Sequence, residues 1–155
     1  MVYTGDVMPR IEHSILIHAP IETVYAIAKD NRSFPDFMED VVSLTVVEES
    51  GNRVVSEWVG VISAFKVKVR WSQEDIWDDS NHTCVFKQIK GDYDEMSGKW
   101  TFASEGPSAT RFQSEVDYVY TVAGLGPLVG RVIHKLASDN IASLMAAIKG
   151  KAEKA

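Results

Sequence analysis

Hydrophobic and polar positions alternate along most of this chain, and the period lengthens near its end. From Phe65 the alternation is strict, with Phe65, Val67, Val69 and Trp71 on one side and Lys66, Lys68 and Arg70 on the other. Thr110 to Val122 repeats it: Phe112, Ser114, Val116, Tyr118 and Tyr120 oppose Arg111, Gln113, Glu115 and Asp117. A two-residue period places successive side chains on opposite faces of a strand. Between Gly126-Pro127 and about Lys149 the spacing becomes helical. Val129, Val132, Ile133, Leu136, Ile141, Leu144, Met145 and Ile148 then form one apolar stripe.

The remaining elements follow from local signals. Arg10 to His18 carries the β-branched content of a strand. Ala19-Pro20 opens a helix with Pro20 at its first position, and Ile21, Val24, Tyr25 and Ala28 share one face. Ser33 to Met38 is a second short helix with Phe34 and Phe37 on its buried side. Strands are then expected at Val41–Glu49, Arg53–Ile62, Phe65–Trp77, His82–Lys90, Met96–Ser104 and Thr110–Val122, joined by short turns. Short connections imply an antiparallel meander with one apolar face. The last helix must bury its stripe on that face. A strongly curved sheet would leave a cavity beneath the helix.

Composition narrows the classes. The chain has 155 residues, 45% of them hydrophobic, which suits one domain over 1–155 of α+β class. A net charge of −6 argues against a nucleic-acid surface. No apolar run approaches the ~18 residues of a membrane span. Met1 to Arg10 lacks the features of a signal peptide, and the single Cys84 excludes an intrachain disulfide, so a cytoplasmic location is expected.

Candidate chemistry is sparse. His13, His18, His82 and His134 form no metal-ligand spacing, and Asp92 and Asp94 sit in an ordinary turn rather than a calcium loop. Gly124 to Gly130 misses the phosphate-cradling spacing, and Pro127 removes a needed N–H. Cys84 lies mid-strand without a local base. No catalytic residue, metal or cofactor is assigned. What remains is an aromatic face that includes Trp58, Trp71, Phe86, Trp100 and Tyr118, shared by parity with Ser56, Gln73, Asp75, Gln88 and Ser114. Such a set reads either as solid core or as pocket lining.

Ile15 to Tyr25 (Ile-Leu-Ile-His-Ala-Pro-Ile-Glu-Thr-Val-Tyr), with Asp30, Phe34-Pro35 and Val41, resembles the opening signature of the helix-grip proteins. That superfamily includes START lipid-transfer domains, polyketide aromatase/cyclases and coenzyme-Q-binding proteins. Val69-Arg70-Trp71, Gly91-Asp92-Tyr93 and Gly98 to Phe102 are similar to its small bacterial polyketide cyclase/dehydrase members. The resemblance spans about residues 10–150. It implies a curved seven-stranded antiparallel sheet gripping the C-terminal helix. The two short helices would close one end of a cavity, and the Gly91–Glu95 and Gly124–Gly130 turns would border its mouth.

On that basis a small hydrophobic ligand is expected between sheet and helix: an isoprenoid quinone, a lipid or an aromatic polyketide. Trp58, Val67, Val69, Trp71, Phe86, Trp100, Phe102, Phe112, Tyr118, Ile133, Leu136 and Met145 would line the site, with Gln88 or Tyr118 orienting a polar head. Transient membrane contact fits such a carrier. Two alternatives stand beside it. The first is an aromatase/cyclase or dehydratase using Asp75, Gln73 or Tyr118. It is weakened because the inward arginine of such enzymes falls here on Val67, while Arg70 has outward parity. The second is a protein-interaction role like that of ribosome-associated relatives, with Lys66, Lys68 and Arg70 as a docking patch.

Overall fold

The computed structural model describes residues 10–62, 67–119 and 127–155. Strand β1 (Arg10–Ile17) leads into α1 (Ile21–Lys29), a 3-10 turn at Asn31–Ser33, and α2 (Phe34–Phe37). Six strands follow: β2 (Val41–Ser50), β3 (Arg53–Ile62), β4 (Val67–Asp78), β5 (Thr83–Gly91), β6 (Glu95–Ser104) and β7 (Thr110–Val119). Helix α3 (Pro127–Lys154) completes the described chain. The sheet is antiparallel, curved and open, with strand order β1-β7-β6-β5-β4-β3-β2. Consecutive strands pair as the short turns require, and β1 crosses over to β7. This is the helix-grip fold.

Several boundaries differ from the sequence-based expectation for physical reasons. Pro20 is the extended cap of α1 rather than its first helical residue, because its ψ of 150° lies outside the helical region. Ser33 belongs to the 3-10 turn, and α2 is a single turn starting at Phe34. Val132 is 39% exposed and leaves the apolar stripe. Tyr120, Phe65 and Lys66 lie outside the described residues, as does the Gly124–Gly126 part of the expected mouth.

Several hydrogen bonds tie helix α3 to the sheet. Lys149 Nζ donates to the Leu16 carbonyl at 2.8 Å, His13 Nε2 lies 3.0 Å from Ser138 Oγ, and Asn140 Nδ2 reaches the Val61 carbonyl at 3.4 Å. Its C-terminal half is a packing surface. Met145 and Ile148 are fully buried, Ala152 nearly so, and α1 packs on the same helix through a face that buries Val24 and Ala28. Each large side chain buried there contributes about 1.5–3 kcal/mol. The helix is thus packed firmly at its C-terminal end, while nearer its start hydrogen bonds with Tyr118 and His13 tie it to the sheet.

Parity is preserved along β4. The register against β5 shifts between Ser72 and Gln73, but the extra residue is Ile89 on β5, which turns outward. Trp71, Gln73, Asp75 and Trp77 therefore stay on the inner face, while Lys68 and Arg70 are exposed.

Candidate functional site

Between the sheet and the middle of α3 lies a cavity of about 150 Å³. Its sheet side is aromatic. Trp58 and Trp71, cross-strand partners on β3 and β4, stack with centroids 5.5 Å apart. Tyr93 meets Trp71 edge-on at 5.9 Å, and Phe86 meets Trp100 in the same way at 5.9 Å. Ala137, Asn140, Ile141, Ser143 and Leu144 form the helix side. Asn31, Phe34 and Met38, from the segment after α1, close one end.

The Gly91-Asp92-Tyr93 turn has a structural task in this wall. Gly91, at φ 154°, lies so close to Trp71 that a Cβ would strike its backbone. Asp92 accepts a hydrogen bond from the Arg70 amide at 2.8 Å, and its own amide donates to the Arg70 carbonyl at 2.9 Å. The carboxylate is thus spent on the turn, as expected for an ordinary turn. Tyr93 is thereby swung over Trp71 and against Tyr118. Gly98 serves similarly under Phe86, where a Cβ would collide with the ring and with the Glu115 carbonyl.

Of the residues expected to line a ligand, Trp58, Val69, Trp71, Phe86, Trp100 and Tyr118 surround the cavity. The side chains of Val67 and Ile133 lie outside the described residues. Phe102 and Phe112 do not line it: they stack on each other at 4.5 Å deeper in the core, and Phe102 is covered by Tyr25. Met145 is packed in the core beyond the cavity, and Leu136 sits one step round the helix from the Ala137–Ile141–Leu144 row that faces it. Gln88 is not among the residues that line the cavity, and its Nε2 donates to the Tyr93 carbonyl at 2.9 Å. The Tyr118 hydroxyl is 3.0 Å from His134 Nδ1. Sequence reasoning missed Asn31, Phe34, Met38, Tyr93 and α3's Asn140 as lining residues. The first four sit in turns and short helices, where no periodicity reports direction.

One row of polar groups crosses the apolar wall. Trp71 Nε1 donates to Gln73 Oε1 at 2.9 Å, and Gln73 Nε2 donates to Asp75 Oδ1 at 2.7 Å. Asn31 Nδ2 donates to Asp75 Oδ2 at 3.1 Å. Every donor in the row points towards the carboxylate, which is only 2% exposed. Burial pushes the Asp75 carboxyl up to about 6; the hydrogen bonds from Gln73 and Asn31 oppose this, and the neighbouring Glu74 charge adds to it. Next along the face, Trp77 Nε1 is buried with no partner among the described residues. Burial, reinforced by the Asp75 charge, drives the Cys84 thiol far upward and suppresses its thiolate. No group of histidine, cysteine and acidic side chains among the described residues could hold a metal ion.

A cavity under a gripped helix is shared by many proteins, and comparison with known ones gives the family. The family described as polyketide cyclase / dehydrase and lipid transport matches residues 17–145. The chain belongs to that family. Among solved structures of this polyketide cyclase/dehydrase-like fold, TTHA0849 from Thermus thermophilus is 35% identical. It matches with a TM-score of 0.87 over 93% of this chain and 97% of that one. The ZhuI aromatase/cyclase from a Streptomyces species has the same TM-score, 0.87, at 20% identity, covering 95% of this chain and 94% of its own, and shows the shared fold. The ribosome association toxin RatA of Escherichia coli is 23% identical over 135 residues, 87% of this chain and 84% of that protein. No helix among the described residues is long and apolar enough to cross a membrane.

Proposed function

We propose that this protein binds a compact hydrophobic molecule in the cavity between the sheet and α3, carrying or presenting it rather than altering it. The observation behind this reading is the hollow itself, about 150 Å³ walled mainly by aromatic and aliphatic side chains. A cavity of that volume accommodates about one aromatic ring. The size favours the ring of a quinone or an aromatic polyketide-like molecule, and a polyprenyl or acyl tail would have to leave through the mouth. The test is to extract purified protein with organic solvent and identify co-purifying molecules by mass spectrometry. A ring-containing molecule at near-stoichiometric yield, lost in Trp71→Ala, supports the reading. Retention by Trp71→Ala as good as wild type speaks against this lining.

One observation favours a second reading, acid–base catalysis: Asp75 faces the cavity and holds a carboxyl poised near neutral pH. Turnover of a bound molecule that disappears in Asp75→Asn would select it. The name of the RatA relative motivates a third, docking on a ribosome through the exposed Lys68 and Arg70 face. Salt-sensitive co-sedimentation with ribosomes tests it.

A further inference from the structure

The cavity has a charge asymmetry that its apolar walls do not explain. Two charged residues, Asp40 and Asp75, appear among its described lining residues, and both are acidic; no lysine, arginine or histidine is among them. Among the described residues, Asp75 receives hydrogen bonds from two neutral amides, Gln73 and Asn31, and no cation faces it. On β4 its charged neighbour is Glu74; the 3-10 turn offers Asn31; β3 offers Val54 and Ser56; β5 offers Phe86 and the protonated thiol of Cys84; α3 offers Asn140 and Ser143 to the cavity. Buried carboxylates are normally paired with a cation or held neutral. Here no pairing cation stands among the described residues, and Asp75 borders a cavity.

Building on the ligand-binding reading above, we infer that the ligand brings the missing charge: an aromatic or aliphatic body bearing a protonated amine, seated with its nitrogen against Asp75. Three observations converge on a cation rather than a neutral hydroxyl. The desolvation of Asp75 is already met in folding, so an incoming ammonium group bears only its own. The amide donors of Gln73 and Asn31 fix the carboxylate in place without neutralising it. The surrounding rings, Trp71 and Phe86 among them, line the same space, and aromatic rings attract cations. A hydroxyl would satisfy one lone pair and leave the charge uncompensated. An anionic ligand would meet a carboxylate.

The probes are four molecules of one shape: phenethylamine, phenethyl alcohol, phenylpropionate and ethylbenzene, titrated calorimetrically into wild type and Asp75→Asn. Phenethylamine should bind at least about tenfold tighter than the alcohol, and phenylpropionate weakest at neutral pH. The Asp75→Asn variant should bring the amine down to the level of the alcohol while leaving ethylbenzene unchanged. In wild type, amine affinity should fall as pH drops below about 6, when Asp75 takes up a proton, whereas ethylbenzene binding should not follow. This pH profile needs no variant. If the alcohol or ethylbenzene binds as tightly as the amine, the cation inference is overturned and the apolar-ligand reading survives. If none of the four binds, both fall.

Discussion

Replacing Asp75 with asparagine should make the protein more stable at neutral pH. The carboxyl is buried, faces no cation among the described residues, and is pushed up to about 6 in the folded chain against 3.8 for the ordinary side chain. The folded state therefore holds this proton more tightly than the unfolded state does. The contribution to stability is complete below the unfolded value and is lost as pH rises through about 6. A gap of roughly two pH units, at about 1.4 kcal/mol each, amounts to about 3 kcal/mol of destabilisation at pH 7. Asparagine removes the charge at little steric cost. The Gln73 amide can still donate to the new carbonyl, and Asn31 can turn its own carbonyl towards the new amide. Urea unfolding followed by tryptophan fluorescence, at intervals from about pH 4 to pH 8, gives the difference between wild type and variant. Surface carboxylates such as Asp117 and Glu153, held low by Arg10 and Lys149, titrate equally in both and cancel. The variant should gain on wild type as pH rises from about 4 to 6 and stay ahead above that. A difference that is flat across this range would refute the claim that Asp75 is a buried, uncompensated charge.

Other outcomes follow from single contacts. Gly98→Ala should cost about 1–3 kcal/mol, because its Cβ meets the Glu115 carbonyl on one side and the Phe86 ring on the other; thermal denaturation reads this. Thr110→Val should cost about 1–2 kcal/mol by leaving the buried Ala19 carbonyl without its 2.8 Å donor, measured by urea unfolding. Cys84 should resist thiol reagents in the folded protein and react only as fast as the chain opens, since burial suppresses its thiolate. Rapid labelling under native conditions would contradict that.

The fold was legible because two signals agreed along nearly every segment. Alternation in β4 and β7 fixed which face turns inward, and the helical stripe of α3 demanded that face as its partner. Face, however, is not depth. Phe102 and Trp100 share a parity on β6, yet Trp100 borders the cavity while Phe102 lies under Tyr25 beside Phe112. Nothing in a two-residue period tells how far along a strand the helix lifts away. Asp75 shows the complementary difficulty. Its parity pointed inward, but a bulge anywhere along β4 would have reversed it, and the register shift fell on β5 instead. Asn31, the second partner of that carboxylate, reads in sequence only as a helix break. Its role arises because the 3-10 turn carries it across to β4, a contact between residues 44 apart in the chain.

The central claim is that α3 spans the sheet without filling the space beneath it, and one substitution tests this directly. Ala137 lies on the cavity-facing row of α3, where leucine is nearly as good a helix former. If the hollow of about 150 Å³ exists, Ala137→Leu puts new methyl groups into empty space. The melting temperature should hold or rise while ligand uptake falls. A loss of about 1–3 kcal/mol, the ordinary penalty for forcing bulk into a filled core, would contradict the account.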